Sequence, residues 1–247
     1  MAQNPTGLAL PRLTPAVKVI LITNVAVFVL LGLLVKIAPG FYVILFDNLA
    51  LSPSAIVDFK VWTLLTYAFV HSLQDVFHLL FNLLLLFFFG PALEQRWGTR
   101  RFVIFYAMGA LGGAALFLAF NVLVGNEARV VGASGAVLAA LVAWGLIYPN
   151  IPVYFFGILP LRGKHLILIT IGIELLMAVS QTPVSSATHF GGMAVGALLV
   201  TGYWRPRALF EKLQLARKKV RRPRSPKFTV VINPDDDDRA PPGGWVH

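Results

Sequence analysis

Long runs of apolar residues, separated by short polar stretches, recur along this chain. The first run, residues 16–38, is followed by Pro39 and Gly40, two residues that interrupt helices. A run of about 20 apolar residues matches the hydrocarbon thickness of a bilayer, so each run predicts a transmembrane helix. The pattern predicts an all-α membrane protein, a six-helix bundle over residues 16–204. The predicted helices cover residues 16–38, 72–89, 102–120, 134–148, 165–179 and 187–204.

The segments outside these helices are polar or rich in turn residues. Residues 1–15 read as a short irregular arm, and residues 40–70 mix aromatic and charged side chains, which is typical of a segment at the membrane interface. Residues 94–101 are expected to form a compact basic loop, and residues 149–164 a turn-rich loop. The tail, residues 205–247, is basic and then acidic, and we expect it to be partly disordered.

Composition supports a membrane protein. Hydrophobic residues make up 57% of the chain and charged residues 13%, far from the balance of a soluble domain. The absence of cysteine excludes disulfides, thiolate metal ligands and cysteine nucleophiles. We expect neither a metal nor a cofactor.

The distribution of positive charge predicts the orientation in the membrane. The net charge is +10, and most Lys and Arg residues fall in the arm, in the loops after the second and fourth helices, and in the tail. Cytosolic loops carry such an excess, so both termini are expected to be cytosolic. The charge is therefore an orientation signal, and we do not expect a nucleic-acid partner.

A serine and a histidine are the first candidates for chemistry. Ser134 begins the fourth helix and His189 lies near the start of the sixth, so the topology places both at one depth, near the outer surface. A histidine within hydrogen-bond reach can take the serine proton as general base. The alternatives are a small-residue packing motif around Ser134 and a structural histidine.

Glycines surround both candidates. Gly132 and Gly135 flank Ser134, and they leave the backbone free to approach another group. Gly192 and Gly196 are four residues apart, so they form one bare face on the sixth helix. If that face packs on Ala133, Ala136 and Ala140 of the fourth helix, His189 reaches Ser134.

The second helix offers two polar side chains on one face. His78 and Asn82 are four residues apart, and an imidazole N–H and an amide N–H could stabilise an oxyanion formed at Ser134. Interhelical hydrogen bonding is the competing interpretation of this pair.

Together these motifs resemble the rhomboid family of intramembrane serine proteases, in its bacterial six-helix form. Residues 132–135 match the GxSG motif, His189 with Gly192 and Gly196 matches the histidine and glycine motif, and residues 78–82 match HxxxN. Residues 62–71 and 90–94 give supporting matches.

The resemblance implies a catalytic dyad. Ser134 would be the nucleophile, His189 the general base, and His78 and Asn82 would line the oxyanion hole. The substrates would be single-span membrane proteins, cut near the outer face, and the location a bacterial inner membrane. We see no convincing third carboxylate, and we interpret Asp75 as solvated surface. The oligomeric state is left open.

Three features stay open at this point. Glu174 lies in the middle of the fifth helix, where a charge is costly, and a packing hydrogen bond is favoured over a role in gating. A catalytically inactive, client-binding relative is one alternative, although such relatives usually lack the serine or the histidine. A small transporter with a polar pathway is another, but we see no inverted repeats.

Overall fold

Helices dominate the computed structural model, which describes residues 11–155, 159–180 and 183–202. Nine are α-helices within these ranges, and a short 3-10 turn, Tyr67–Phe69, follows the fourth. They are α1 (Pro15–Ile37), α2 (Pro39–Leu49), α3 (Pro53–Val57), α4 (Thr63–Thr66), α5 (Val76–Trp97), α6 (Thr99–Val124), α7 (Ser134–Ile147), α8 (Gly163–Ser180) and α9 (Pro183–Thr201). The predicted tail and most of the predicted arm lie outside the described residues.

Within the described residues, a helix covers most of each of the six predicted membrane segments, and the all-α membrane bundle is confirmed. Four helices, α1, α5, α6 and the part of α9 from Val184 to Thr201, are long and apolar enough to cross a membrane. The apolar helix α7 has 14 residues, and every residue from Gly135 to Gly145 is buried. The helix that begins with Ser134 is therefore the centre of the bundle.

The second predicted helix has different ends from those predicted. It does not stop at Gly90 and Pro91 but runs to Trp97, because Gly90 packs tightly against Val17 and this tertiary contact outweighs the local helix-breaking tendency. It begins at Val76 instead of Ser72, because the Asp75 carboxylate accepts a hydrogen bond from the His78 N–H and caps the helix.

The basic loop predicted over residues 94–101 is also wrong. Only Gly98, with a φ of 82°, separates α5 from α6. A glycine tolerates this left-handed backbone conformation, which turns the chain directly into the next helix.

Glu94, assigned to that loop, is buried near the end of α5. Its carboxylate accepts hydrogen bonds from the Ala16 and Val17 N–H groups, at 2.9 and 3.0 Å, and from the hydroxyls of Thr14 and Thr99. The first-turn N–H groups of a helix have no partner within the helix, and the N-terminus carries a positive dipole. Glu94 therefore fastens the start of α1 to the end of α5.

Two connections contain more regular structure than predicted. The interfacial segment, residues 40–70, folds into most of α2 and all of α3 and α4, and it exposes Phe59 and Trp62 while burying Tyr67. The turn-rich loop contains a short antiparallel hairpin of β1 (Pro152–Phe155) and β2 (Leu159–Arg162). Neither changes the fold class.

Close backbone contacts place α9 between α6 and α7. Gly192 lies against the backbone of Gly135, and Gly196 lies against Ala139. The bare face of α9 therefore packs on α7, as the glycine spacing predicts, but on Gly135 and Ala139 instead of Ala133, Ala136 and Ala140. The other side of α9 approaches α6, where the Gly191 backbone meets Gly112.

Candidate active site

A short irregular segment, residues 125–133, connects α6 to Ser134. Val130 pairs with Leu51 through two backbone hydrogen bonds of 2.9 and 3.1 Å, and the Gly132 N–H donates to the Tyr67 carbonyl at 2.9 Å. Gly132 has a φ of 123°, a conformation that strains any residue with a Cβ. Ser134 follows as the first residue of α7.

Side chains add to this attachment. Asp47 pairs with Arg129, and the Glu127 carboxylate accepts from the Ser54 N–H at 3.2 Å. The interfacial segment thus holds the connection between α6 and α7, residues 125–133, in place. We call this connection the serine loop, and sequence reasoning missed this role of the interfacial segment. The one signal was the opposite charge of Asp47 and Arg129, which is too common to point to a specific pair.

His189 meets Ser134 in the structure. The distance from the His189 Nε2 to the Ser134 Oγ is 2.8 Å, which is hydrogen-bond distance. α9 begins at Pro183, four residues earlier than predicted, so His189 lies in its second turn and not in its first. The contact follows from the tight packing of Gly192 on Gly135, one turn further along α9.

A carboxylate completes a line of three side chains, contrary to the expectation that no third carboxylate is available. The Glu174 Oε2 lies 2.7 Å from the His189 Nδ1, the ring nitrogen opposite the one that faces Ser134. The side chains of His189 and Glu174 are 19% and 13% exposed.

The signal for this contact was present in the helix lengths. Glu174 lies six residues before Ser180, the last residue of α8, and His189 lies six residues after Pro183, the first residue of α9. At 1.5 Å per residue both are about 9 Å from the connection between two antiparallel helices. Two polar residues at equal depth on neighbouring helices are candidates for a hydrogen bond.

His78 and Asn82 project from α5 towards the same place. The His78 imidazole packs directly against the Gly132 backbone, where a Cβ would lie 2.6 Å from the ring. The Asn82 side chain is buried and donates one hydrogen bond to the His78 carbonyl at 2.7 Å. The structure therefore brings His78 to the loop that precedes Ser134, and His78, Asn82 and Ser134 line one cavity.

A third histidine, His71, contacts this loop at Ala133. It is fully buried, its Nε2 accepts a hydrogen bond from the Ala133 N–H at 3.4 Å, and its ring lies 5.3 Å from the ring of His78. Burial and the neighbouring His78 lower the pKa of His71 to about 4, so the ring is neutral at physiological pH. Its neutrality leaves Nε2 able to accept the Ala133 N–H.

These side chains surround a cavity of about 330 Å³. Apolar side chains and the polar candidates share its wall, which is the usual composition of a ligand-binding site. It is lined by Asp75, Phe77, His78, Phe81, Asn82, Leu85, Ser134, Leu138, Glu174 and His189.

A multi-pass membrane protein with a serine and a histidine in contact at a cavity is the class that this fold and site define. A match to the Rhomboid domain covers residues 58–206, and this range contains all of the candidate residues. The chain belongs to the rhomboid family, which includes intramembrane proteases.

Individual relatives agree. RHOMBOID-like protein 1 of Arabidopsis thaliana is 35% identical over 144 residues, which are 57% of this chain and 34% of that protein. The mitochondrial RHOMBOID-like protein 12 of the same plant is 28% identical over 167 residues, 62% of this chain and 49% of the relative. Rhomboid protease GluP of Bacillus subtilis is 27% identical over 155 residues, 63% of this chain and 28% of the relative.

The matched region spans about half, or less, of the length of these relatives. They come from a plant and a bacterium, and one is mitochondrial, so they do not support the expectation of a bacterial inner membrane in particular.

Proposed function

We propose that this protein is an intramembrane serine endopeptidase that uses Ser134 as nucleophile and His189 as general base. The observation that carries the proposal is the 2.8 Å contact between the Ser134 Oγ and the His189 Nε2 at the wall of a cavity. A serine hydroxyl is a weak nucleophile at neutral pH, and a histidine within hydrogen-bond distance activates it by taking its proton.

In the proposed reaction, the Ser134 Oγ bonds to the carbonyl carbon of the substrate peptide while its proton passes to the His189 Nε2. The C–N bond then breaks, and the same proton goes to the leaving amine. A water molecule releases the acyl group by the reverse exchange of roles. Intramembrane hydrolysis requires water at the site, and polar side chains around the cavity are suited to hold it.

The negative oxygen of the tetrahedral intermediate needs hydrogen-bond donors. Asn82 has a second amide N–H besides the one that bonds the His78 carbonyl, and the His78 imidazole lies beside Gly132. The N–H groups in the first turn of α7 have no partner within the helix. We assign these groups, His78, Asn82 and the start of α7, to the oxyanion hole.

The proposed substrates are single-span membrane proteins, cut near the outer end of the transmembrane segment. Ser134 begins α7, and the other end of α7 lies near the basic connection, residues 162–164, because Gly145 packs against Gly163. The positive-inside rule assigns this connection to the cytosol. The same rule places both termini in the cytosol.

Cleavage of a single-span reporter in liposomes tests the proposal. Wild type, Ser134→Ala and His189→Ala would be compared with two controls outside the cavity, Ser72→Ala and His165→Ala. We expect the wild type and both controls to cleave, and the two cavity variants to lose cleavage while keeping the melting temperature of the wild type.

A fluorophosphonate probe, which reacts with activated serines, gives an independent measurement. Labelling of the wild type but not of Ser134→Ala would support the nucleophile assignment without any assumption about the substrate. Cleavage by Ser134→Ala at the wild-type rate would overturn the proposal. Reporter binding without cleavage or labelling in the wild type would favour a client-binding, inactive protein instead.

A further inference from the structure

Glu174 is the one acidic side chain among the described residues that lies in hydrogen-bond contact with His189. We propose that Glu174 is a positioning residue for the general base, so that the site works as a triad of Ser134, His189 and Glu174 and not as a two-residue dyad. This inference rests on the proposed function, and it adds the group that orients the histidine.

The first argument is geometric. The Ser134 Oγ lies 2.8 Å from one ring nitrogen of His189, and the Glu174 Oε2 lies 2.7 Å from the other. An ionised carboxylate accepts hydrogen bonds but does not donate them, so in the proposed arrangement the Nδ1 of His189 carries the proton. The Nε2 is then the nitrogen that accepts, and it faces the serine hydroxyl. The carboxylate thus selects the tautomer that can act as a base.

The second argument is the cost of a carboxylate in this position. α8 exposes most of its side chains, including Ile173, Leu175 and Leu176, and Glu174 is on the narrow stripe that faces inward. A charged group at membrane depth is expensive unless it has a partner. The partner is His189, and both side chains line the same cavity.

The third argument concerns charge during the reaction. When His189 takes the Ser134 proton it becomes an imidazolium, and the adjacent carboxylate offsets the new positive charge between two mostly buried side chains. The carboxylate does not itself take a proton in this scheme. A hydrogen bond that served packing alone would have no such effect on the rate.

The informative substitution is Glu174→Gln, which keeps the shape and removes the charge. The amide can donate an N–H to Nδ1, which would place the histidine proton on Nε2, where it blocks acceptance from Ser134. In a soluble serine protease the corresponding carboxylate to amide change lowers kcat by about 10⁴. We expect Glu174→Gln to lower kcat by about 10² to 10⁴, with KM within about threefold of the wild type.

Two further variants separate positioning from structure. Glu174→Asp keeps the charge and should retain more activity than Glu174→Gln. Leu175→Gln adds the same amide to the exposed face of α8, next to Glu174 in sequence, and should leave kcat within about threefold of the wild type. Melting temperature and the rate of fluorophosphonate labelling are measured for each variant.

Slower labelling and a lower kcat in Glu174→Gln, with an unchanged melting temperature, would support the proposal. Wild-type kcat and wild-type labelling in Glu174→Gln would overturn the proposal. It would also be overturned if Glu174→Gln and Leu175→Gln lowered kcat equally, each in parallel with a lower melting temperature. Ser134→Ala and His189→Ala, assayed in parallel, keep the two proposals distinct. If both remain active, the proposed function itself fails.

Discussion

Gly192 of α9 and Gly135 of α7 are in backbone contact, and this contact sets the distance between His189 and Ser134. A Cβ on Gly192 would overlap the Gly135 carbonyl, so a side chain at this position must push the two helices apart. The geometry of the site thus depends on Gly192 having no side chain, one helical turn away from His189.

Gly192→Ala is therefore expected to lower both stability and activity. Overpacking of this kind costs about 1 to 3 kcal/mol, and a shift of about 1 Å in a reacting group can reduce the rate about 100-fold. Cleavage rate and unfolding free energy are the measurements. Gly172→Ala on α8 is the matched control, because nothing lies within 4 Å of its added methyl group. Equal effects of the two substitutions would contradict this account of the helix contact.

Asn82→Ala tests the oxyanion hole against a purely local role. Asn82 and Asn121 are both buried, and each donates to the carbonyl four residues earlier, at 2.7 and 2.9 Å. Both alanine variants lose that bond, but Asn82 alone lines the cavity with Ser134. We expect Asn82→Ala to lower kcat by about 10² to 10³ and Asn121→Ala to leave it nearly unchanged. Equal kcat values for the two variants would assign Asn82 to helix packing.

Glu94→Ala should destabilise the bundle without changing the chemistry of the site. The substitution leaves buried N–H groups of Ala16 and Val17 without their acceptor, at a cost of about 3 kcal/mol. Reversible unfolding in mixed detergent measures this loss of unfolding free energy. Glu127→Ala, which removes one exposed hydrogen bond to Ser54, should cost less than about 1 kcal/mol. If Glu94→Ala lowers the free energy of unfolding no more than Glu127→Ala does, the hydrogen bonds between Glu94 and the start of α1 contribute little to stability.

The buried His71 predicts acid sensitivity. Its pKa is about 4 in the folded protein and about 6.5 when the chain is unfolded, so between these values the unfolded state binds more protons. The stability associated with neutral His71 is complete above about pH 6.5 and is lost as the pH falls towards 4. The loss is about 3 kcal/mol.

Unfolding free energies at pH 7 and pH 4.5 measure this effect. His71→Gln, which stays neutral and can still accept from Ala133, should be less sensitive to pH than the wild type. The exposed His165→Gln should keep the wild-type sensitivity. If His71→Gln keeps it as well, another group causes the acid sensitivity.

Local sequence patterns were enough to predict most of the helices of the fold. Apolar runs predicted the six helical segments, because a bilayer admits few other structures, and four of the described helices are long and apolar enough to cross it. The ends of α5 were predicted less well. Asp75 caps it and Gly90 packs against Val17, and both effects depend on neighbours that a single stretch of sequence does not reveal.

The sequence by itself determined the membrane bundle, the family and the candidates Ser134, His189, His78 and Asn82, since periodicity, composition and motif spacing are local properties of the chain. Only the tertiary structure decided that Glu174 contacts His189, that His71 supports the serine loop, and that residues 47–54 hold that loop. Such contacts join residues between 15 and 82 positions apart, and they depend on how tightly helices and loops pack.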